Sequence, residues 1–287
     1  MTTRLPTSGE LLASALTALG KKPSSARLDA EVLLSHVLDK PRTRLRGWPE
    51  DPVSADQAAR YRELIGRRAD GEPVAYLTGR REFWSLSLEV TPETLIPRPE
   101  TERLVELALG LIPDGEPWTL ADLGTGSGAV AAAIASERPA CRIIATDACP
   151  QALAVAGRNL ARLALDNVTL RRGNWCEALD GQRCALIVCN PPYVASGDEH
   201  LTLGDVRFEP RLALSAGEDG LDAIRAITES AIAHLLPGAA LLVEHGHDQG
   251  AAVQALFRRH GYLDVRGYED LAGNDRVVVG VGRSALA

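Results

Sequence analysis

No run of this 287-residue chain approaches the roughly 18 consecutive apolar residues that a membrane-spanning helix needs, so no membrane segment is expected. The opening residues, MTTRLPTSGELLASAL, hold one arginine and no long apolar stretch, and no secretory leader is read in them. Cysteine is sparse: Cys141, Cys149, Cys176, Cys184 and Cys189 form no C-x-x-C pair and are odd in number. That argues against a disulfide framework or a thiolate metal site, and it points to a reduced, cytoplasmic setting. Aromatics make up only 4% of the chain, and positive charge is short as well, with a formal net charge of −7. Residues 1–80 hold 13 Lys and Arg against 10 Asp and Glu, a net of +3, which leaves −10 on residues 81–287. Duplex-gripping surfaces are strongly basic, so direct nucleic-acid binding by the larger part is not expected.

What the chain does have is two textures. Up to residue 80 the pattern is helical. SGELLASALTALG offers Ser8 as a cap and Gly20 as a stop, SARLDAEVLLSHVL repeats apolar residues at helical spacing, and SADQAARYRELIGRRADG makes a third such segment. From REFWSLSLEV onward, short apolar strands alternate with amphipathic helices. The strand candidates are residues 119–124, 141–147, 168–173, 185–190 and 238–246, which is the signature of a doubly wound, mostly parallel α/β sheet. YLDVRGYED and DRVVVGVG follow with only a short link between them, so the sheet is expected to end in an antiparallel hairpin. The expected organisation is a small all-helical domain, 1–80, and a larger α/β domain, 81–287.

The first strand-to-helix turn of that alternation reads LADLGTGSGAVA. Gly124, Gly126 and Gly128 permit a tight turn and close approach of a ligand, Thr125 and Ser127 lie between them, and the next helix offers free N–H groups. As G-x-G-x-x-A the turn suits a dinucleotide. As D-x-G-x-G-x-G, starting at Asp122, it resembles the first motif of S-adenosylmethionine-dependent methyltransferases. Asp147 ends the second strand, where a carboxylate can accept both hydrogen bonds of a ribose diol; the plainer reading is a local cap, a role that Pro150 assigns to Cys149 instead. Trp175, just past the third strand, is either a wall for an adenine ring or a core aromatic.

The fourth strand stops abruptly on Asn190, Pro191, Pro192 and Tyr193. Two prolines fix the backbone before any substrate arrives, and an Asn before proline is held extended. The Asn190 side-chain oxygen and the Pro191 carbonyl together fit the two hydrogens of a planar –NH₂ group, and Tyr193 offers a flat face. An amide or exocyclic amine nitrogen is a poor nucleophile because its lone pair is delocalised. Orienting it can remove on the order of 7–11 kcal/mol from a bimolecular barrier without a strong base. The bland alternative is a Pro-Pro turn leaving a strand.

NPPY after DLGTGSG resembles the amino-methyltransferases. With LIPRPETE (95–102), FEPRLALSAGEDGL (208–221), LLVEHGHDQG (241–250) and DLAGNDRVVVG (270–280), the chain closely resembles the PrmC/HemK family. That resemblance implies a Rossmann-like class I methyltransferase sheet of seven strands. It also implies transfer of a methyl group from S-adenosyl-L-methionine to the glutamine side-chain nitrogen (N5) of the Gly-Gly-Gln loop in class 1 peptide chain release factors, leaving S-adenosyl-L-homocysteine. Residue by residue, it implies cofactor contacts at Gly124, Thr125, Gly126, Ser127, Gly128, Asp147, Trp175 and Asn190, and catalytic substrate contacts at Asn190, Pro191, Pro192 and Tyr193. The helical domain, resembled more loosely, would recognise the substrate.

Other features read more plainly. Glu100 and Glu102 are two residues apart, so they point apart and favour a helix N-terminus over a carboxylate pair. His245 and His247 lack a third ligand, and no metal is expected. KPRTRLR, 40–46, reads as a solvated basic loop that could steer a partner. Two other functions stay open: an N-methyltransferase acting on adenine or guanine in nucleic acid, and a nucleotide-binding scaffold or dinucleotide oxidoreductase.

Overall fold

The helix starts of the N-terminal part are fixed by side chains that accept from otherwise unpartnered backbone N–H groups. In the computed structural model, which describes residues 4–20 and 25–283, helix α1 (Ser8–Leu19) is capped by Thr7 rather than Ser8. The Thr7 hydroxyl accepts from the Glu10 N–H while the Glu10 carboxylate accepts from the Thr7 N–H, a reciprocal box that needs its acid three residues after the cap. Ser8 is the first helical residue, and its hydroxyl donates to the Pro49 carbonyl at 3.1 Å. Gly20, at φ 64°, ends the helix as expected. There follow α2 (Ala26–Leu38), α3 (Arg42–Gly47), α4 (Ala55–Ala69), whose cap is Ser54, and α5 (Val74–Thr78). Leu11, Leu33, Leu34 and Tyr61 pack as the centre of this unit. A buried Asp29–Arg68 pair at 2.8 Å ties α2 to α4, and losing one partner would strand a charge at a cost of about 3–5 kcal/mol.

The basic segment around residue 44 is a correction. It is helical rather than a loop; its guanidinium groups are partly solvated, as read, but each is paired with an acid. Arg42 and Arg46 converge with Arg27 on Glu31, whose side chain is only 2% exposed, and Arg44 pairs with Asp51. Arg46, followed by Arg27 and Arg42, holds the Glu31 carboxyl down at about 2.

The chain divides into two compact units, Met1–Arg80 and Arg81–Ala287. In the larger one a small hairpin, β1 (Arg80–Phe83) and β2 (Leu86–Glu89), precedes α6 (Glu102–Leu111). Then come β3 (Thr119–Leu123), α7 (Ala129–Glu137), β4 (Arg142–Asp147), α8 (Pro150–Arg162), β5 (Val168–Arg172) and β6 (Cys184–Cys189). The chain continues with α9 (Asp222–Ala231), β7 (Leu235–Glu244), α10 (Gly250–Arg259), β8 (Leu263–Glu269) and β9 (Asp275–Val281). The strands order β5-β4-β3-β6-β7-β9-β8, parallel except for β9, which is antiparallel to both β7 and β8. This is the expected seven-stranded sheet with its terminal hairpin.

Strand residues alternate between two cores. Leu120, Ile143, Leu186 and Val188 enter one, and Ala121, Leu123, Ile144, Ile187 and Cys189 the other, so both faces are covered, as a parallel sheet requires. All five cysteines are free thiols. Among the described residues, no helix is long and apolar enough to cross a membrane.

Candidate active site

The chain reverses its winding at β3, which pairs with β4 on one side and β6 on the other. Open α/β sheets bind ligands in the crevice that such a reversal opens at the carboxyl ends of the strands. Register decides what lies there. Leu123 stands opposite Thr146 on β4 and Cys189 on β6, and Cys189 stands opposite Val243 on β7. The next residue of each strand therefore falls in one row: Asp147, Gly124, Asn190 and Glu244. At about 4.8 Å per strand, four residues from distant parts of the sequence line one edge.

At the β3 end, Gly124, Gly126 and Gly128 all have positive φ, at 72°, 56° and 83°. Gly128 also has a packing reason, since a Cβ there would lie 3.2 Å from the Cβ of Ala156 on α8. Around Gly126 the space is open. Its N–H donates to Asp147 Oδ2 at 2.9 Å, and the Cys149 N–H donates to Oδ1 at 2.8 Å. Cys149 is the cap residue of α8, with Pro150 next, as expected. Asp147 thus serves the local turn and the glycine loop at once. Two carboxylate oxygens offer about four acceptor positions, which leaves room for a diol.

The Thr125 hydroxyl commits its hydrogen within the chain. It donates at 2.6 Å to Asp122 Oδ2, which also accepts from the Ala131 N–H. Burial pushes Asp122 up to about 6 against these two donors. Ser127 is buried as well, so the turn presents backbone rather than side chains. Trp175, at φ 44°, lays its ring over the glycine turn, where a Cβ on Gly124 would meet Cζ3 at 3.1 Å. The structure therefore brings Gly124, Asp147 and Trp175 together.

At the β6 end, Asn190 Nδ2 donates to Thr101 Oγ1 at 3.1 Å, which turns Oδ1 away from that contact. Among the described residues no donor reaches Asn190 Oδ1 or the Pro191 carbonyl. A cavity of about 170 Å³ opens here, walled by Leu95, Arg98, Asn190 to Val194 and Leu201, among others. It is mostly apolar, with Asn190 among its few polar groups.

The backbone of Pro191–Val194 is held by segments that carry no recognisable chemistry in the sequence. The Tyr193 carbonyl accepts from Gln249 Nε2 at 2.9 Å. Gly220, at φ 73°, passes so close that a Cβ would lie 2.3 Å from that carbonyl. Val194 pairs with the strand-like stretch at Ser215, its N–H donating to the Leu214 carbonyl at 2.8 Å. Glu209 has a fully buried side chain that accepts from the Ile96 N–H at 3.1 Å and pairs with Arg98, fixing that wall of the cavity. Asp270 accepts from the N–H groups of Ala272 and Asn274, which shapes the β8–β9 turn. Sequence reasoning missed these supporting roles, although Gln249, Gly220, Glu209 and Asp270 all lie inside the quoted resemblance segments.

Glu100 and Glu102 sit at the start of α6, as read. His245 is buried, with Nδ1 2.8 Å from the Gly246 carbonyl, and no cluster of metal-ligating side chains occurs among the described residues.

Two family models match the chain. Residues 10–79 match the PrmC N-terminal domain and residues 106–209 the methyltransferase small domain. A release factor glutamine methyltransferase of Pseudomonas aeruginosa is 53% identical over 89% of this chain and 92% of its own length. The protein of the same name in Escherichia coli is 49% identical over the same shares. The chain belongs to the release factor glutamine methyltransferase family. It is accordingly a methyltransferase. Among solved structures, the 16S rRNA N2 G1207 methyltransferase of T. thermophilus, in complex with AdoMet and guanosine, aligns with TM-score 0.53 at 19% identity over 71% of this chain and 50% of that one. At that identity the likeness speaks for the class I fold alone.

Proposed function

We infer that this methyltransferase transfers a methyl group from S-adenosyl-L-methionine to the side-chain amide nitrogen (N5) of glutamine in the Gly-Gly-Gln loop of class 1 peptide chain release factors, a cytoplasmic reaction. Family membership supports the release factor as substrate. The observation that carries the site assignment is the pair of unfilled acceptors, Asn190 Oδ1 and the Pro191 carbonyl, at the mouth of an apolar cavity beside the glycine turn.

The cofactor, when bound, supplies an electrophilic sulfonium methyl and leaves as S-adenosyl-L-homocysteine. The residues of the chain fit it: open space at Gly126, spare lone pairs on Asp147 for a ribose diol, and the Trp175 ring as a wall for adenine. Asn190 and Pro191 accept the two amide hydrogens, fix the plane of the glutamine side chain and favour positive charge as it grows on nitrogen. Pro192 stiffens that backbone, and Tyr193 packs beside the plane. The mostly apolar walls lower the local dielectric, which makes each of these hydrogen bonds stronger. No general base has to act before transfer, because the proton becomes acidic only once the nitrogen is alkylated.

A glutamine on a loop is a small target that many proteins share, so selectivity must come from surface beyond the cavity. The helical unit, residues 1–80, is our proposal for that surface; it carries a net +3, with Arg42, Arg44 and Arg46 partly exposed although each already pairs with an acid. The acidic larger unit weighs against a nucleic-acid substrate.

The test is mass spectrometry of release factor after incubation with enzyme and S-adenosylmethionine. One added methyl group, located by fragmentation to the Gly-Gly-Gln glutamine, is expected. Methylation of RNA or DNA adenine or guanine with an unmodified release factor would reject the assignment.

A further inference from the structure

Arg98 brings a permanent charge to the mostly apolar wall of the cavity that holds Asn190 and Pro191, and the chemistry described above makes no use of it. Its place is fixed from several sides. Glu209, whose side chain is fully buried, accepts from Arg98 Nη2 through Oε1 and from the Ile96 N–H through Oε2 at 3.1 Å. The Pro97 carbonyl accepts from Arg81 Nε at 3.2 Å, and the Arg98 carbonyl accepts from the Thr101 N–H at 3.1 Å. Backbone and side chain are therefore set before substrate arrives.

A guanidinium carries five N–H hydrogens. Among the described residues Glu209 is the only acceptor that engages this one, and it does so through Nη2. Nε and Nη1 keep their hydrogens for another acceptor, on a side chain that is 31% exposed. The pair decides which acceptor suits. Glu209 cancels the charge of Arg98, and a phosphate or carboxylate approaching the guanidinium would also face that buried carboxylate. A neutral carbonyl oxygen gains the hydrogen bond without the repulsion.

The cavity, at about 170 Å³, is smaller than the roughly 300–1,000 Å³ of a site for a drug-sized ligand, so it admits a side chain while the main chain of the substrate stays at its mouth. Glutamine has only two methylene groups between its Cα and its carboxamide. A carboxamide held by Asn190 and Pro191 therefore keeps its own peptide groups close to the cavity wall, and glycines before it leave those groups uncovered by side chains. A cation bonded to the side-chain carbonyl of the glutamine would oppose the positive charge that grows on its nitrogen. A main-chain carbonyl carries no such conflict.

We propose that Arg98, held by Glu209, is a substrate-binding residue that donates to a main-chain carbonyl of the Gly-Gly-Gln segment. The proposal rests on the reading of this cavity as the glutamine site and of release factor as the substrate. Such a bond is made alike in the ground state and the transition state, so it acts on KM rather than on kcat. Selectivity among proteins stays with the surface outside the cavity.

Full-length Arg98→Met, the double variant Arg98→Met with Glu209→Gln, and Asn190→Ala, assayed beside the parent on intact release factor with cofactor affinity measured in parallel, test this. Arg98→Met should raise KM for release factor by about tenfold to a hundredfold, the effect of losing a hydrogen bond to a charged group, with kcat and cofactor Kd within about threefold. That substitution also strands the buried Glu209 charge. The double variant neutralises the carboxyl and keeps an acceptor for the Ile96 N–H, and its KM should stay within about threefold of that of Arg98→Met. Parental KM in either variant, or a fall in kcat with no rise in KM, would overturn the binding role; recovery in the double variant alone would show that Arg98 serves only to neutralise Glu209. If Arg98→Met fails to fold, the double variant decides. An unmethylated release factor with the parent enzyme, or normal turnover by Asn190→Ala, would remove the site reading itself and the proposal with it, an outcome distinct from failure of the Arg98 role alone.

Discussion

At the ends of β3 and β4 the carboxylates of Asp122 and Asp147 are engaged by donors of the chain itself, whereas at the end of β6 two acceptors are left for something outside the chain. Thr125 gives its proton to Asp122, and Asp147 takes the N–H groups of Gly126 and Cys149. Asn190 donates through Nδ2 to Thr101 and keeps Oδ1 unused. The difference follows from what each end must do. A cofactor is held by shape and backbone, so the turn can be internally complete before it arrives. Orienting an unreactive nitrogen needs acceptors that nothing else in the chain fills, and Asn190, half-buried at the cavity, keeps one ready for what enters.

Substitutions at the two ends should therefore fail differently. The largest effect is expected for Asn190→Ala. It removes one of two acceptors that act chiefly in the transition state, so kcat should fall by about 10²-fold or more while cofactor affinity stays within about tenfold. Isothermal titration with a methyl-transfer assay measures both. Asp147→Ala should do the reverse, weakening cofactor binding by about 1.5–3 kcal/mol, the range for a hydrogen bond to a charged group. Unchanged affinity would leave Asp147 with its turn role only.

Gly220→Ala sharpens the comparison from behind the β6 end. An added Cβ meets the Tyr193 carbonyl at 2.3 Å in a backbone already at φ 73°, and the strain should cost about 1–3 kcal/mol of stability in thermal or urea unfolding. Because the displaced carbonyl adjoins Pro192, kcat should drop with it. An equally stable and active protein would show that the NPPY backbone is not held by this contact.

The smallest effect is a slope. Asp122 is raised to about 6 from an ordinary 3.8, so the native state binds its proton more tightly than the unfolded chain does. Its contribution to stability is fully present below about 3.8 and is lost as pH rises through 6. Asp122→Asn should flatten that fall in Tm between these values. An unaltered slope would mean that another group dominates the window.

Much of this was legible in the sequence because it rests on local signals. Strand and helix alternation gave the seven strands, three glycines marked the first turn, and the missing helix before DRVVVGVG marked the antiparallel end. Pro150 correctly passed the α8 cap to Cys149. What was not legible depends on register and on distant contacts. Thr101 and Glu244 flank Asn190 only because α6 and β7 are brought to it, and Gly220 reads as an ordinary loop glycine until the Tyr193 carbonyl is seen beside it. The cap at Thr7 was missed because Ser8 also fits the position and only the acid at Glu10 distinguishes them. The basic run at 40–46 misled because Glu31, eleven residues before Arg42, is too far away in sequence to be paired with it by inspection.

The division of labour between the two strand ends is tested most directly by single-turnover methyl transfer onto release factor, with Asp147→Ala and Asn190→Ala compared over a rising S-adenosylmethionine concentration. The account predicts that Asp147→Ala approaches the parental rate at saturation, whereas Asn190→Ala stays about 10²-fold slower at every concentration. Recovery of Asn190→Ala at high cofactor, or a persistent deficit in Asp147→Ala alone, would contradict it.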